Sequence, residues 1–415
     1  MKGPPMTWTI TRKEIVSNLL SYKFFIVILL TTVLLFTSFF VMDKDFKGRL
    51  ADYQLIKPQP GQPNAVLPPN PLSILAKGLE DSMTRSFEVG RIGIDVRTGQ
   101  TGGNPIFAFF AAPDFVYVVK VVLSLVALLF GFDAISRERE DGTLKLALAN
   151  ALPRSTLLFG KWLGNFLSLA VPFLLVTLLG IAVMSLDPSV RLTALGLGRL
   201  ALILAVSIVY IALFLSLGLL ISAMTRRSAS SLVVLLLLWA ILVFVLPNLG
   251  TLLARQVVEL PSVRALTEKK EQIWTREVLL GMGDRANWDK HYLAINSEFN
   301  QLEADYRAKF ERLVRLSKAI NRASPAASYL YAVTEIAGTG IGEESRFKGE
   351  FIRYKDQIAQ LMLNGSESFP AFGYAYRSVG QVLAEGGLFD LVWLIVLNVI
   401  VFAAGYAAII RSDVR

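Results

Sequence analysis

Apolar and polar positions fall along this chain in long blocks. Six apolar runs, 24–42, 115–134, 162–186, 200–224, 232–249 and 389–410, are each long enough to cross about 30 Å of hydrocarbon as a helix. Lys120 sits near one end of the second, where its stem can snorkel. The first run begins after more than twenty residues and ends in "VMDKD" without a small-residue cleavage pattern, so it reads as a retained anchor. Ahead of it, in "TWTITRKEIVSNLLSYK", Thr11 and Glu14 have capping-box spacing, and Ile15, Val16, Leu19 and Leu20 share one helical face. Residues 1–23 therefore predict a helix in the membrane interface or an extension of the first span.

Two long segments separate the spans, 43–114 and 250–388. In the second, Ile295, Phe299, Leu302, Tyr306, Phe310, Leu313, Leu316 and Ile320 recur at three- and four-residue steps. Residues 293–322 thus predict one amphipathic helix of about 45 Å. A partner helix over 261–280, with Val263, Leu266 and Ile273 on one face, pairs with it across "GMGDRANWD". This hairpin reads as a stalk or lateral wall above the membrane. A further helix is predicted over 346–363, after which Pro370 and "AFGYAYRSVGQVLAEGG" return the chain to the sixth span. In 43–114, "IKPQPGQPNAVLPPNP" reads as an extended linker and "SFEVGRIGIDVRTG" as a short strand or two.

Composition agrees with the pattern: 53% of 415 residues are hydrophobic and 18% charged, too apolar for an ordinary soluble enzyme. The expected fold class is an all-α polytopic membrane protein with six transmembrane helices. There is no cysteine and one histidine, His291, which excludes disulfides, thiolate nucleophiles and Cys/His zinc sites. The net charge of +9 is topological rather than a sign of nucleic acid, because basic residues collect on cytoplasmic loops. Placing the N-terminus inside puts Arg12, Lys13, Lys23, Arg226, Arg227, Arg411 and Arg415 in the cytoplasm, with residues 411–415 as a tail and both long segments outside.

The exception to the greasy pattern is 135–161, within "ISREREDGTLKLALANALPRSTLLFGKW". Asp141 or Thr143 can cap a helix over 143–151, ended by Pro153, and Ser155 can cap the next. A positive-inside anchor needs only Lys and Arg; alternating signs, a glycine and a cap favour docking of a soluble partner. The run Arg137, Glu138, Arg139, Glu140, Gly142, Thr143, Leu144, then Pro153, Arg154, Gly160 and Lys161, resembles the second-to-third-span loop of ABC type-2 exporter permeases. The resemblance implies a coupling helix seated in a groove of a cytosolic ABC ATPase dimer. Glu138, Arg139 and Glu140 would hold register by charge pairing there, while Leu144, Leu148 and Pro153 fill the groove. It also implies a second permease copy, as a homodimer or heterodimer, in a prokaryotic cytoplasmic membrane. "LSKAINRASPAASYLYAVTEIAGTGIG" resembles the subset with an enlarged external domain, and so an extracytoplasmic partner.

No G-x-x-x-x-G-K-[ST] is present, so the chain carries no cofactor of its own, and ATP and Mg would be bound by the ATPase. There is no H-E-x-x-H, and acids inside the spans are nearly absent, Asp133 and Asp390 lying near opposite edges. The expected function is an exporter permease, not an enzyme. Two alternatives stand beside it: a mechanotransmission complex working through the external domain, and an ATPase-independent scaffold or receptor.

Overall fold

The computed structural model describes residues 6–56, 64–83, 86–90, 93–97, 113–144, 153–190, 193–284, 287–366 and 368–411. Helix α1 is Met6–Leu19 and α2 is Tyr22–Ile56. The remaining long apolar helices are α3 (Phe115–Glu140), α4 (Arg154–Ser185), α5 (Ala194–Met224), α6 (Ser228–Val257) and α11 (Val379–Arg411), so that six helices are long and apolar enough to cross a membrane. Each apolar run in the sequence coincides with part of one of them, the third passing the end of α4 by one residue. The architecture is that of an all-α polytopic membrane protein.

Burial sets their order. Two-thirds (67%) of the apolar window of α5 is buried, against 17% in α6 and in α11, so α5 is the central post. Its contact with α3 is backbone on backbone: a Cβ on Gly131 would lie 2.9 Å from Gly218 Cα. The two glycines let α3 and α5 approach where any side chain would hold them apart.

Helix α2 does not stop at residue 42. Its charged continuation is carried by i,i+4 pairs, Lys47 with Asp43 at 2.6 Å and Arg49 with Asp45 at 3.0 Å, while Met42 and Phe46 pack on Ile74 and Val190. At α1 the predicted cap is also displaced. The helix starts at Met6, so Thr11 and Glu14 lie in its middle, and both face α4 instead.

Opposite the end that carries α1, which we call the near end, the far end holds the long segments. Strands β1 (Asn64–Ala65), β2 (Ser86–Gly90) and β3 (Gly93–Arg97) form an antiparallel sheet, with Asn64 opposite Glu88 and Gly90 opposite Gly93. Helices α7 (Val263–Gly283) and α8 (Trp288–Asn321) make the predicted hairpin, with a tighter turn than its sequence suggested. Gly281 belongs to α7 because the Trp288 ring packs there, 2.4 Å from where a Cβ would be. Helix α10 (Ile341–Leu363) follows, beginning five residues before its predicted start.

Between α8 and α10 lies the element that periodicity missed. Helix α9 (Pro325–Ala337) is buried almost throughout, and its Ala326, Tyr329, Ala332, Val333 and Ile336 join the core of the spans. Tyr329 stacks on Tyr210 of α5 with ring centroids 4.4 Å apart. Thirteen residues cannot span a bilayer, but they suit a helix inserted part-way and walled by protein. Two of its neighbours carry a π-turn where they flank it, α3 at Val118–Leu123 and α6 at Ile241–Val245, and α11 is kinked where it does so, with Gly386 at φ +125°. Each π-turn inserts one extra residue into its helix, reshaping the wall against α9.

Candidate functional site

At the near end the charged run is wired into the bundle. The last turn of α3, Ser136–Glu140, is pinned by Ser222 of α5, whose Oγ accepts the backbone N–H of Ile135 and Ser136, both at 3.0 Å. From this fixed turn, Arg139 donates to Thr225 O at 2.7 Å and Ala223 O at 3.1 Å. These are orphan carbonyls at the C-terminus of α5, where a cation also meets the negative end of the helix dipole. Glu140 does the converse for α6, accepting from Ser228 N at 3.2 Å and Ser228 Oγ at 2.7 Å. Arg154, at the start of α4, donates to Ile409 O at 2.8 Å and Ile410 O at 2.6 Å and so closes the C-terminus of α11.

Lys161 is the centre of the arrangement. It is 3% exposed, and its Nζ lies 2.9 Å from Glu14 of α1 and 2.8 Å from Glu138 of α3. The close approach that makes this possible comes from Gly160 and Gly164 on α4. A Cβ at Gly164 would stand 2.5 Å from Glu14 Cβ, and one at Gly160 would stand 2.9 Å from Ile10 Cβ. Asn18 completes the seam, donating to Asn165 Oδ1 at 2.7 Å. Helix α1 therefore buries its polar and small face on α4, while Val16, Leu19 and Leu20 stay exposed. That outward apolar face suits an interfacial helix.

The structure places the expected site residues as follows within the chain. Glu138, Arg139 and Glu140 are engaged within the chain, because buried helix ends need partners more than an exposed loop does. Leu144 does not face outward; at 3% exposure it packs with Ile135, Leu157, Leu158, Leu219 and Ile409. Pro153 is the residue before α4, and the helix it was expected to end lies outside the described residues; Ser155 lies inside the first turn of α4 and caps nothing. The exposed rim, among the described residues, consists of Arg137, Glu140, Asp141, Gly142, Thr143 and Pro153. Gly142 has φ +72°, a left-handed turn that glycine adopts without strain, and Thr143 Oγ1 donates to Glu138 O at 3.3 Å. Leu148 and the body of the predicted 143–151 helix lie outside the described residues. Sequence reasoning missed Glu14, Ser222, Ser228 and Gly164 as members of this site. A glutamate in the first helix and a lysine heading a span were the legible signs of the Lys161 bridge.

The far end has its own charged junction. Arg377 reaches Glu343 at 2.6 Å, Glu385 at 2.9 Å and Glu335 at 3.1 Å, tying the irregular segment before α11 to α10, α11 and α9. Burial alone would raise the Glu343 carboxyl, but hydrogen bonds from Arg346, Tyr374 and Arg377 outweigh it and hold it below the usual range. Glu80 is pushed up to about 7, first by burial, against a hydrogen bond from the Asn70 amide at 2.6 Å and the charge of Arg49. At the foot of the hairpin, Arg322 grips Asp390 of α11 at 2.6 and 3.0 Å. Ser324 caps α9 and donates to Leu242 O of α6 at 2.5 Å.

Among the described residues no cluster of three or more His, Asp or Glu side chains is arranged to hold a metal. The void between α2, α3 and α4, lined by Val27, Thr31, Leu35, Val126, Ser168 and Phe173, holds about 10 Å³, too small to pass a solute. At the near end one turn is thus bonded to α4, α5 and α6 and, through Lys161, linked to α1.

The family model described as "ABC-2 family transporter protein" matches residues 8–414. Among curated proteins, the "Probable ABC transporter permease protein NosY" of Pseudomonas aeruginosa is 34% identical over 138 residues, covering 32% of this chain and 48% of that protein. The chain thus spans about half the length of this curated relative.

Proposed function

We propose, from the premise that the chain belongs to the ABC-2 family of transporter proteins, that it is the permease of an ATP-driven exporter whose ATPase is a separate cytosolic dimer. The near end, with both chain termini, faces the cytoplasm of a prokaryotic cell, and the far end faces outward. A second permease copy completes the membrane unit, most simply another copy of this chain. ATP and Mg belong to the ATPase, and the permease supplies the surface on which it pushes.

The observation that carries this reading is the wiring of the turn Ser136–Glu140. Its outer rim is exposed and left-handed at Gly142, while its inner side is bonded to the ends of α5 and α6 and, through Lys161, to α1 and α4. A force applied at the rim reaches four helices without passing through a flexible linker. The charged residues named by the family resemblance act on this reading as transmitters inside the permease. Contact with the ATPase falls to Arg137, Asp141, Thr143 and the adjoining 145–152.

The test is reconstitution of the permease with its ATPase. Gly142→Pro forces φ to about −65° at a residue held at +72° and touches no packed neighbour. It should leave the permease monodisperse but lower ATPase retention and substrate-stimulated hydrolysis at least about fivefold. Unchanged retention and hydrolysis in this variant and in Arg137→Ala/Asp141→Ala would refute the coupling role.

A second reading is favoured by one observation. The foot of α8 is bonded to α11 through Asp390 and to α6 through Leu242, so movement of those spans swings the hairpin directly. On this reading the same engine works an external partner and nothing crosses the membrane. A flux assay in sealed vesicles separates the two.

A further inference from the structure

Helix α4 is hydrogen-bonded to its neighbours along one half only. In 154–171, Arg154 donates to Ile409 O and Ile410 O of α11, Lys161 bridges Glu14 and Glu138, and Trp162 Nε1 donates to Ser216 Oγ of α5 at 2.9 Å. Asn18 of α1 adds bonds to Asn165 and Ser168. In 173–185, among the described residues, no side chain hydrogen-bonds to another helix, and the buried Thr177 Oγ1 has no partner. Packing holds this half, with the Phe39 ring on Gly180 and Phe115 stacked on Phe173, while Leu175, Leu179 and Val183 are more than half exposed.

The boundary between the halves falls where α4 is weakest. Pro172 has no N–H, so the bond that would close on Ser168 O is missing. One turn earlier, Ser168 Oγ donates back to Gly164 O at 2.9 Å, a bond that loosens and bends a helix. The helices facing this point are weakened at the same level. On α2, Thr31 Oγ1 donates back to Val27 O at 2.9 Å, and α3 completes its π-turn at Leu123. Thr31, Leu123, Ser168 and Pro172 all line the void of about 10 Å³. A close-packed interior leaves few such gaps, and one beside a proline gives the helix room to bend.

We propose that α4 is jointed at Pro172: 154–171 is a limb fixed to the near end, and 173–185 is an arm that swings on it, widening and closing the void against α2 and α3. Thirteen residues carry the arm from Pro172 to Ser185, about 20 Å, so a swing of about 20° moves its end by about 7 Å. The inference needs neither the ATPase nor a transported substrate, so it stands or falls apart from the exporter reading.

The experiment uses the full chain in nanodiscs. Because it has no cysteine, two introduced ones carry spin labels whose distance distribution is read by double electron–electron resonance. Ser185→Cys at the end of the arm is paired with Thr251→Cys on α6, both exposed positions. Pro172→Ala restores the missing N–H and should narrow this distribution by about 5 Å. Pro172→Gly restores the same N–H without stiffening the turn and should leave the distribution broad, an outcome that a merely structural proline does not produce. Ser155→Cys with Ser230→Cys, both exposed and both at the near end, should keep its width in all three backgrounds. Three outcomes overturn the proposal. They are equal 185–251 widths in the parent and Pro172→Ala, equal narrowing by alanine and glycine, and a matching change in the 155–230 pair, which would make the effect a change of the whole bundle.

Discussion

Replacing Lys161 by methionine should release α1 from the bundle. The ammonium lies 2.9 Å from Glu14 and 2.8 Å from Glu138, and at an effective dielectric of about 20 each contact is worth about 6 kcal/mol of Coulomb attraction. Desolvating the buried lysine offsets several kcal/mol of this. Its removal then leaves two carboxylates facing one another, 14% and 20% exposed, so water reaches both and softens the loss. The net cost of Lys161→Met comes to about 3 kcal/mol, the lower end of what breaking a buried pair entails. Because the chain has no cysteine, Thr11→Cys gives a unique reporter at a position that is 0% exposed between α1 and α4. In detergent the reporter should react with a maleimide slowly when Lys161 is present and about a hundredfold faster in Lys161→Met, as 3 kcal/mol of local closure is reduced. Adding Glu14→Gln and Glu138→Gln to the methionine variant should restore much of the protection, since the residual charges are what open the seam. Equal labelling in the parent and Lys161→Met, or a triple variant no better protected than the single, would refute the reasoning.

Gly164→Val should produce the same opening with the lysine intact: a Cβ there stands 2.5 Å from Glu14 Cβ and 3.0 Å from Thr11 O, at a cost of about 1–3 kcal/mol, read by the same reporter. Asp390→Asn should cost about 2 kcal/mol, the figure for a buried pair discounted because Arg322 is 25% exposed, and should speed tryptic cleavage at Arg322 several-fold. Glu80, raised to about 7 by burial, makes stability fall as pH rises: below its unfolded value of 4.5 the neutral acid is tolerated in both states, and by the time pH passes 7 about 3 kcal/mol has been lost. Glu80→Gln should therefore flatten the difference in thermal midpoint between pH 5 and pH 8, and an unchanged difference would show that Glu80 is not its source.

Much of the molecule was legible because its solvent is simple. A run of some twenty apolar residues has few stable alternatives to a spanning helix, and the eight-residue stripe from Ile295 to Ile320 has few alternatives to an amphipathic one. The charged run was legible as an exception in an apolar chain, and its resemblance pointed to the family to which the chain belongs. Its internal assignments were not legible, because a helix end advertises nothing about which distant side chain will cap it. Arg139 and Thr225 are 86 residues apart and Arg154 and Ile409 are 255 apart, and only packing brings them together. The same applies to α9, whose thirteen residues are too short to read as a span and too apolar to read as a surface helix.

The sequence by itself determined that the chain crosses a membrane in helices, that it carries no P-loop to bind nucleotide, and that the interruption at 135–161 is where its chemistry changes. Those conclusions depend on local apolar length, composition and motif, which the chain carries without folding. The tertiary structure alone decided that Glu138 and Arg139 turn into the bundle while the exposed Glu140 caps α6, that Leu144 is buried, and that α9 is inserted among the spans. Each of these depends on which helix ends meet and which surfaces remain uncovered once the spans have packed.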